Sequence, residues 1–436
     1  MGFQQGLSGL NAASKSLDVI GNNISNASTV GFKQAQVQFA DVFANSLNGA
    51  GGAQVGIGTR VANIAQQFSQ GNITSTNNPL DIAINGNGFF RMSTNGAITY
   101  TRNGQFQLDK NGYMVNAQGA QLTGYVANAN GVLATGSATA ININTTDIAP
   151  AQTGTINAIL NLDSRNTVPG GAVPIAFSPT DPTSYNQSTS VAVYDSLGNS
   201  HVLQTFFVKI NPAVTPPTAP ATAEWNVFAT SDGVPIGYVP PAAAVPLGKL
   251  GFDNLGKLVA ATPAFSAIDP KALKVTIPVA NGAITPISTP LNVKLDMTGS
   301  TQFGSDFSVS SLKQDGYTSG KLSKFNTSKD GTIVGSYTNG KTSVLGQVVL
   351  ANFTNPNGLQ SLGGNQWTET STSGPALIGT PGSGGQGLLT SSAVEDSNTD
   401  LTGELVNMIT AQRIYQANAQ TIKTQDQVLQ TLVNLR

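Results

Sequence analysis

Proline is absent from residues 1–78 and again after Pro381, so all 22 prolines of the 436-residue chain lie between those points. Proline breaks helix interiors, so long helices are confined to the two ends. Both ends carry the matching hydrophobic period. Phe3, Leu7, Leu10, Ser14, Leu17, Gly21 and Ile24 follow alternating steps of four and three, the stripe of a helix that packs on another helix. Leu401, Leu405, Met408, Gln412, Tyr415, Ala419, Ile422, Asp426, Leu429 and Val433 repeat it at greater length. Ser397, Asn398 and Asp400 supply N-cap chemistry before it. A helix over 401–436 would span about 54 Å, longer than the N-terminal one can cover. The seam therefore predicts a helical pair with apolar surface left for neighbouring molecules. A plain antiparallel hairpin inside one monomer is the alternative that the pattern allows.

Between the ends the period drops to two. Leu80, Ile82 and Ile84 alternate, and Asn-Gly pairs recur at 85–86, 87–88, 95–96, 103–104 and 111–112. Asn-Gly favours tight hairpin turns because both residues tolerate positive φ. Residues 191–210, with a turn near 197–199, and 331–353, with turns at 330–331 and 339–340, read the same way. Short strands without strand–helix alternation predict sandwiches or small barrels. Eight prolines within 212–246 predict an exposed loop system within a β-domain.

Gly-rich segments at 49–58 and 374–387 mirror each other inside the helical ends. They suggest hinges, and a chain that runs out through nested domains and returns. The expected fold class is multidomain α+β: terminal helices paired as a coiled-coil-like domain, with nested all-β outer domains. The expected divisions are 1–28 with 397–436 (helical, inner), 29–71 with 365–396 (connecting), 72–145 with 305–364 (β) and 146–304 (outer β insertion).

Charge excludes several functions. Lys and Arg number 21 against 22 Asp and Glu, for a net charge of −1. No basic footprint for nucleic acid or anionic lipid exists. The absence of cysteine removes disulfides, thiolate metal sites and cysteine nucleophiles. One histidine, His201, precludes His-pair metal sites. No apolar run is long enough to span a membrane, and residues 1–10 do not read as a cleavable signal peptide.

Two patterns mimic chemistry. Gly335-Ser336-Tyr337-Thr338-Asn339-Gly340-Lys341-Thr342 matches the phosphate-loop pattern, which needs a helix after the loop. The strand-like Val344–Leu350 follows instead, so a hairpin turn is predicted. His201, near Asp195 and beside Ser200, reads as a strand histidine near a turn rather than part of a triad. No catalytic, cofactor or metal residues are singled out, and an enzyme is not expected.

The ends also carry motifs. Ser8–Ala13 and Leu17–Lys33, containing Gly21-Asn22-Asn23-Ile24-Ser25-Asn26 and Gly31-Phe32-Lys33, resemble the N-terminal signature of the bacterial flagellar axial proteins, the rod-and-hook family. Ser25 departs from the alanine common there. Residues 412–419 (QRIYQANA) and 430–435 (QTLVNL) look like its C-terminal signature, and 78–90 (NPLDIAINGNGFF) is similar to a third block. The large β insertion is that of the hook-type members, the rod members being shorter.

The resemblance implies a subunit that polymerises into a short curved tube, a flexible universal joint that transmits motor torque to the filament. Terminal helices would line its export channel. Implied partners are further copies of the chain, the flagellar rod, the hook cap, the hook–filament junction protein and the type III export apparatus, with no nucleic acid, membrane insertion or cofactor. Implied placement is extracellular, on the flagellum, without a cleavable signal. The family motif residues are Asn22, Asn23, Asn26, Gly31 and Phe32. The residues expected to mediate helix pairing and polymerisation are Phe3, Leu7, Leu10, Leu17, Ile24, Leu401, Leu405, Met408, Tyr415, Ala419, Ile422, Leu429 and Val433. Alternatives are a distal rod or other axial subunit, an extracellular β-rich adhesin, a phage tail component or a secreted hydrolase.

Overall fold

A computed structural model describes residues 2–42, 56–128, 131–171, 173–210, 223–236, 244–259, 273–277 and 291–434. The expected hinge residues 49–55, and 212–222 and 237–243 of the proline-rich stretch, lie outside them. The described chain is mostly β-strand, with one long helix at each end: α1 (Gly2–Ser25) and α2 (Leu401–Asn434). It divides into two compact units, Met1–Thr145 with Leu322–Ser336 and Thr342–Arg436, and Thr146–Lys321 with Tyr337–Lys341.

In the first unit α1 is followed by a two-stranded hairpin, β1 (Ala35–Val42) and β2 (Gly58–Gln66), bulged between Gln38 and Phe39. Then come β3 (Ile73–Ser75), β4 (Ile82–Asn85), β5 (Phe89–Thr94) and β6 (Ala97–Thr101). The turn joining β5 to β6 is Asn95-Gly96, with φ of +50° and +90°, the backbone that an Asn-Gly pair supplies at low cost. The other four Asn-Gly pairs do not form this two-residue hairpin with both φ positive.

Strands from the two halves of the sequence interleave in one large sheet. Its path runs 322–327, 332–337, 342–348, 121–126, β5, β6, 366–368, 360–363. β4 pairs with Leu388–Ser391, and β3 with Ala393–Glu395. The core gathers Ile82, Ile84, Phe90, Met92, Leu122, Val348 and Leu350. Beside it Phe68, Phe89, Phe353 and Trp367 meet edge to face, the arrangement that ring quadrupoles favour.

The second unit carries a four-stranded sheet (273–277, 291–296, 155–161, 308–314) and a five-stranded one built on 187–194, 200–210 and 223–231. Residues of both share one core around Leu160, Phe207, Trp225, Phe252 and Leu295, as in sheets packed face to face. Two expectations change here. Residues 305–321 were expected with the inner β-domain, but they belong to this unit, because Ser308–Gln314 pairs with Thr155–Asn161. The proline-rich stretch is not all loop. Its proline-free run Ala223–Ser231 is a buried strand, since only there can the backbone complete a ladder on both sides.

Candidate assembly surface at the chain ends

The two terminal helices lie antiparallel and touch through small residues. A methyl group placed on Gly9 would come within 2.7 Å of the Asn418 side chain, and one on Gly6 within 3.0 Å of Ile422. The buried helix positions are Gly6, Ala13, Ile20 and Asn23 on α1, and Glu404 and Ala411 on α2, with Asn418 and Gln425 half-buried in line with them. Each series is the apolar heptad displaced by one residue, about 100° of rotation. Glycine on α1 lets Asn418 and Ile422 of α2 come close to its backbone, while several of the larger heptad residues are turned outward. Asp400 caps α2, its carboxylate accepting from Thr402 N at 3.0 Å. Asn398 does not cap. Its amide reaches Gln67 O (2.8 Å) and its carbonyl accepts from Gln34 N (2.8 Å).

The seam residues divide accordingly. Phe3, Leu7, Leu401, Leu405, Tyr415, Leu429 and Val433 are exposed in the single chain, Val433 at 74%. Leu10, Leu17, Ile24, Met408, Ala419 and Ile422 are half-buried. Val406, Ile409 and Ile414 on α2, which the heptad omits, are also exposed. With Gly6 opposite Ile422, α2 continues about two turns past the start of α1.

The N-terminal motif is a junction. Asn26 ends α1, its Nδ2 donating to Asn22 O at 2.9 Å and its Oδ1 accepting from Thr29 Oγ1. Asn22 itself is exposed. Asn23 is buried and stands in for a peptide group: its amide donates to Ala35 O (2.8 Å) and its oxygen accepts from Ala35 N (2.9 Å), tying α1 to β1. Gly31 adopts φ +70°, and a Cβ there would lie 2.5 Å from Asn103 N. Phe32 is half-buried.

Lys33 is buried, and Nζ donates to Glu395 Oε1 at 2.6 Å and to Ser69 O at 2.7 Å. Arg102 Nη1 donates to Glu395 Oε2 at 3.0 Å, and Nη2 to Gly86 O at 2.8 Å. Burial pulls both the Lys33 ammonium and the Arg102 guanidinium below their ordinary ranges, and the Glu395 charge opposes it. One carboxylate thus holds two buried cations. Removing such a partner costs about 3–5 kcal/mol. Lys33 stood in the quoted motif without a role, and Arg102 and Glu395 were missed. A signal existed: the chain has four glutamates, 224, 369, 395 and 404, and three of them are buried. A scarce, costly charge retained inside is a positional clue.

Glu404 is the second missed residue. A groove of about 340 Å³ opens among α1, β1 and α2, lined by Val19, Ile20, Val37, Asn407, Ile414 and Glu404 among others. The Glu404 side chain is 7% exposed. Its Oε2 is closed off from solvent and accepts no hydrogen bond among the described residues.

The mimics of chemistry fall where the pattern placed them. Residues 332–337 and 342–348 form a hairpin across the phosphate-loop look-alike, with Gly340 at φ +77° and no helix following. His201 lies in a strand, Nδ1 2.8 Å from Asp232 Oδ2 and Nε2 3.6 Å from Asp195 Oδ2. Among the described residues no cluster of three or more His, Asp or Glu could hold a metal ion. No helix there is long and apolar enough to cross a membrane.

Comparison with known proteins agrees with this geometry. Residues 3–33 match the family model "Flagella basal body rod protein", 83–158 "Flagellar hook protein FlgE/F/G D1 domain", 161–317 "Flagellar basal body protein FlaE D2 domain" and 390–435 "Flagellar basal body rod FlgEFG protein C-terminal". The flagellar hook protein FlgE of Salmonella typhimurium is 44% identical over 100% of both chains, and that of Escherichia coli K12 is 43% identical over the same share. The Borreliella burgdorferi protein of that name is 34% identical, over 99% of this chain and 98% of its own. Among solved structures, Helicobacter pylori flagellar hook protein FlgE2 aligns with a TM-score of 0.51 at 15% identity, covering 74% of this chain and 100% of that one, a likeness of fold.

Proposed function

This chain belongs to the flagellar hook protein family, and from that premise we propose how it works as a hook subunit. The family is structural and self-assembles into the hook. In this chain the terminal helices pair as a coiled-coil-like inner domain, and the β-domains are nested between them in the chain. Copies polymerise into a curved tube that encloses an export channel, and the tube acts as a universal joint carrying torque to the filament.

The observation that carries this is the bare apolar surface of the helical ends: Leu401, Leu405, Val406, Ile409, Leu429 and Val433 are each more than two-fifths exposed. Burying one such side chain is worth about 1.5–3 kcal/mol, and repeating the contact along a helical polymer makes it open-ended. In this reading the subunit works outside the cell on the flagellum and travels through the type III export apparatus. It assembles beneath the hook cap, and the finished tube meets the rod at one end and the hook–filament junction protein at the other. Electron microscopy of the purified chain under polymerising conditions tests it. A curved tube with an axial channel is expected, a straight tube would point to a rod subunit, and persistent monomers would overturn the reading.

A further inference from the structure

We infer that Glu404 is the acceptor of a contact between copies, and that its donor is Arg413 of the next copy. The inference rests on the self-assembly proposed above and assigns it a specific polar anchor.

The acceptor side is a buried carboxylate whose Oε2 has no donor among the described residues. Glu404 lines the groove between α1, β1 and α2, and among the described residues the groove's lining holds no lysine, arginine or histidine. An ionised carboxylate inside protein carries a desolvation cost that a cation with good geometry offsets. Around it the groove offers Val19, Ile20, Val37 and Ile414. Ser16, Gln34, Gln36, Asn407 and Thr410 line it too, so the occupant needs a cation for Glu404 and aliphatic side chains beside it for the apolar part of the groove.

Such a surface exists on the same helix, facing the other way. Arg413 is nine residues after Glu404, which at about 100° per residue turns it half a revolution away, about 13.5 Å along the axis. It is exposed and forms no ion pair among the described residues. Val406 and Ile409, two turns and one turn before it, stand on the same face and are 58% and 52% exposed. Lys15, by contrast, is engaged with Asp18 at 3.1 Å. Arg413 cannot reach Glu404 of its own chain. A second copy placed head to tail can bring it there with Val406 and Ile409 beside it, and because donor and acceptor lie on opposite faces, the contact is heterologous and can repeat along a helical polymer. Arginine suits the role, since its planar fork can bind a carboxylate through two parallel hydrogen bonds.

The test is a charge swap in the full chain, read as the critical concentration for assembly by sedimentation. E404R and R413E should each raise it about tenfold or more, as expected for a desolvated charge pair, and E404R/R413E together should bring it back near that of the unmodified chain. The thermal melt of the unassembled chain checks folding. Should E404R melt early, E404Q keeps the shape of the side chain, and R413E changes an exposed position. Single variants that assemble like the unmodified chain would overturn the contact. So would single variants that fail and a double variant that fails with them. An unmodified chain that never polymerises defeats the assembly reading itself, and this contact with it.

Discussion

The second unit and the terminal helices handle their large apolar residues in opposite ways. The second unit, Thr146–Lys321 with Tyr337–Lys341, buries Trp225, Phe207 and Phe252 completely between its two sheets. The helices keep Leu405, Val406, Ile409 and Leu429 in solvent, and their mutual contact uses Gly6 and Gly9 against Ile422 and Asn418. A sheet pair can close its own core because two faces suffice. Two helices joined through small residues cannot enclose their large ones. One part of the molecule is finished by folding, and on the assembly proposed above the other is finished by a second copy.

The largest expected effect comes from removing residues 427–436, which include the part of α2 that runs past α1. That truncation should abolish polymers visible by electron microscopy, while the thermal transitions of both units stay in place. A normal tube would break the contrast, because the bare helix end would then have no role in assembly.

Next is the buried ion cluster. E395Q leaves Lys33 and Arg102 without their partner and should destabilise the first unit by about 3–5 kcal/mol, seen as an earlier transition in calorimetry. The transition of the second unit should not move. A loss shared by both units would show that they do not fold separately.

L405S and L429S sharpen the contrast from the surface side. Both residues are exposed in the single chain, so melting of the monomer should change by less than about 0.5 kcal/mol. Assembly should weaken by about 1.5–3 kcal/mol for each leucine buried between copies, measured from critical concentrations. An equal loss of monomer stability would place these leucines inside the fold.

The smallest effect is on pH. Burial raises the Asp195 and Asp232 carboxyls, but hydrogen bonds outweigh it: the Asn199 side chain and backbone and Leu197 N at Asp195, and Val202 N and His201 at Asp232. Both end below the ordinary value of 3.8. Their contribution is present above that value and is lost as pH falls through the lower folded values. Scanning calorimetry from pH 5 to pH 2 should show the second unit losing stability below about pH 4, and D195N should flatten the dependence. A profile that D195N leaves unchanged would remove these turns as its cause.

Local rules carried the sequence reading a long way. Two proline-free ends with a heptad period became α1 and α2. Asn95-Gly96 became a tight turn because its residues accept positive φ. The phosphate-loop pattern was already suspect from the strand-like run after it. These features depend on neighbours within a few residues, so the chain displays them directly. The side of each helix that the seam residues occupy was not legible. The period locates a stripe, but contact falls on whichever face lets two backbones approach, here one residue over.

Long-range partnership was hidden for a related reason. Nothing near Lys33 announces that its acid lies 362 positions away, or that Arg102 shares it. Nor does the alternation of residues 155–161 disclose that Thr155–Asn157 pairs in parallel with Lys294–Asp296, or that residues 308–314 complete the same sheet. Backbone periodicity is a local property, set by sterics and side-chain type. Which buried charge meets which, and which helix face stays bare, follows from the path of the whole chain, because desolvation is settled only when the partner arrives.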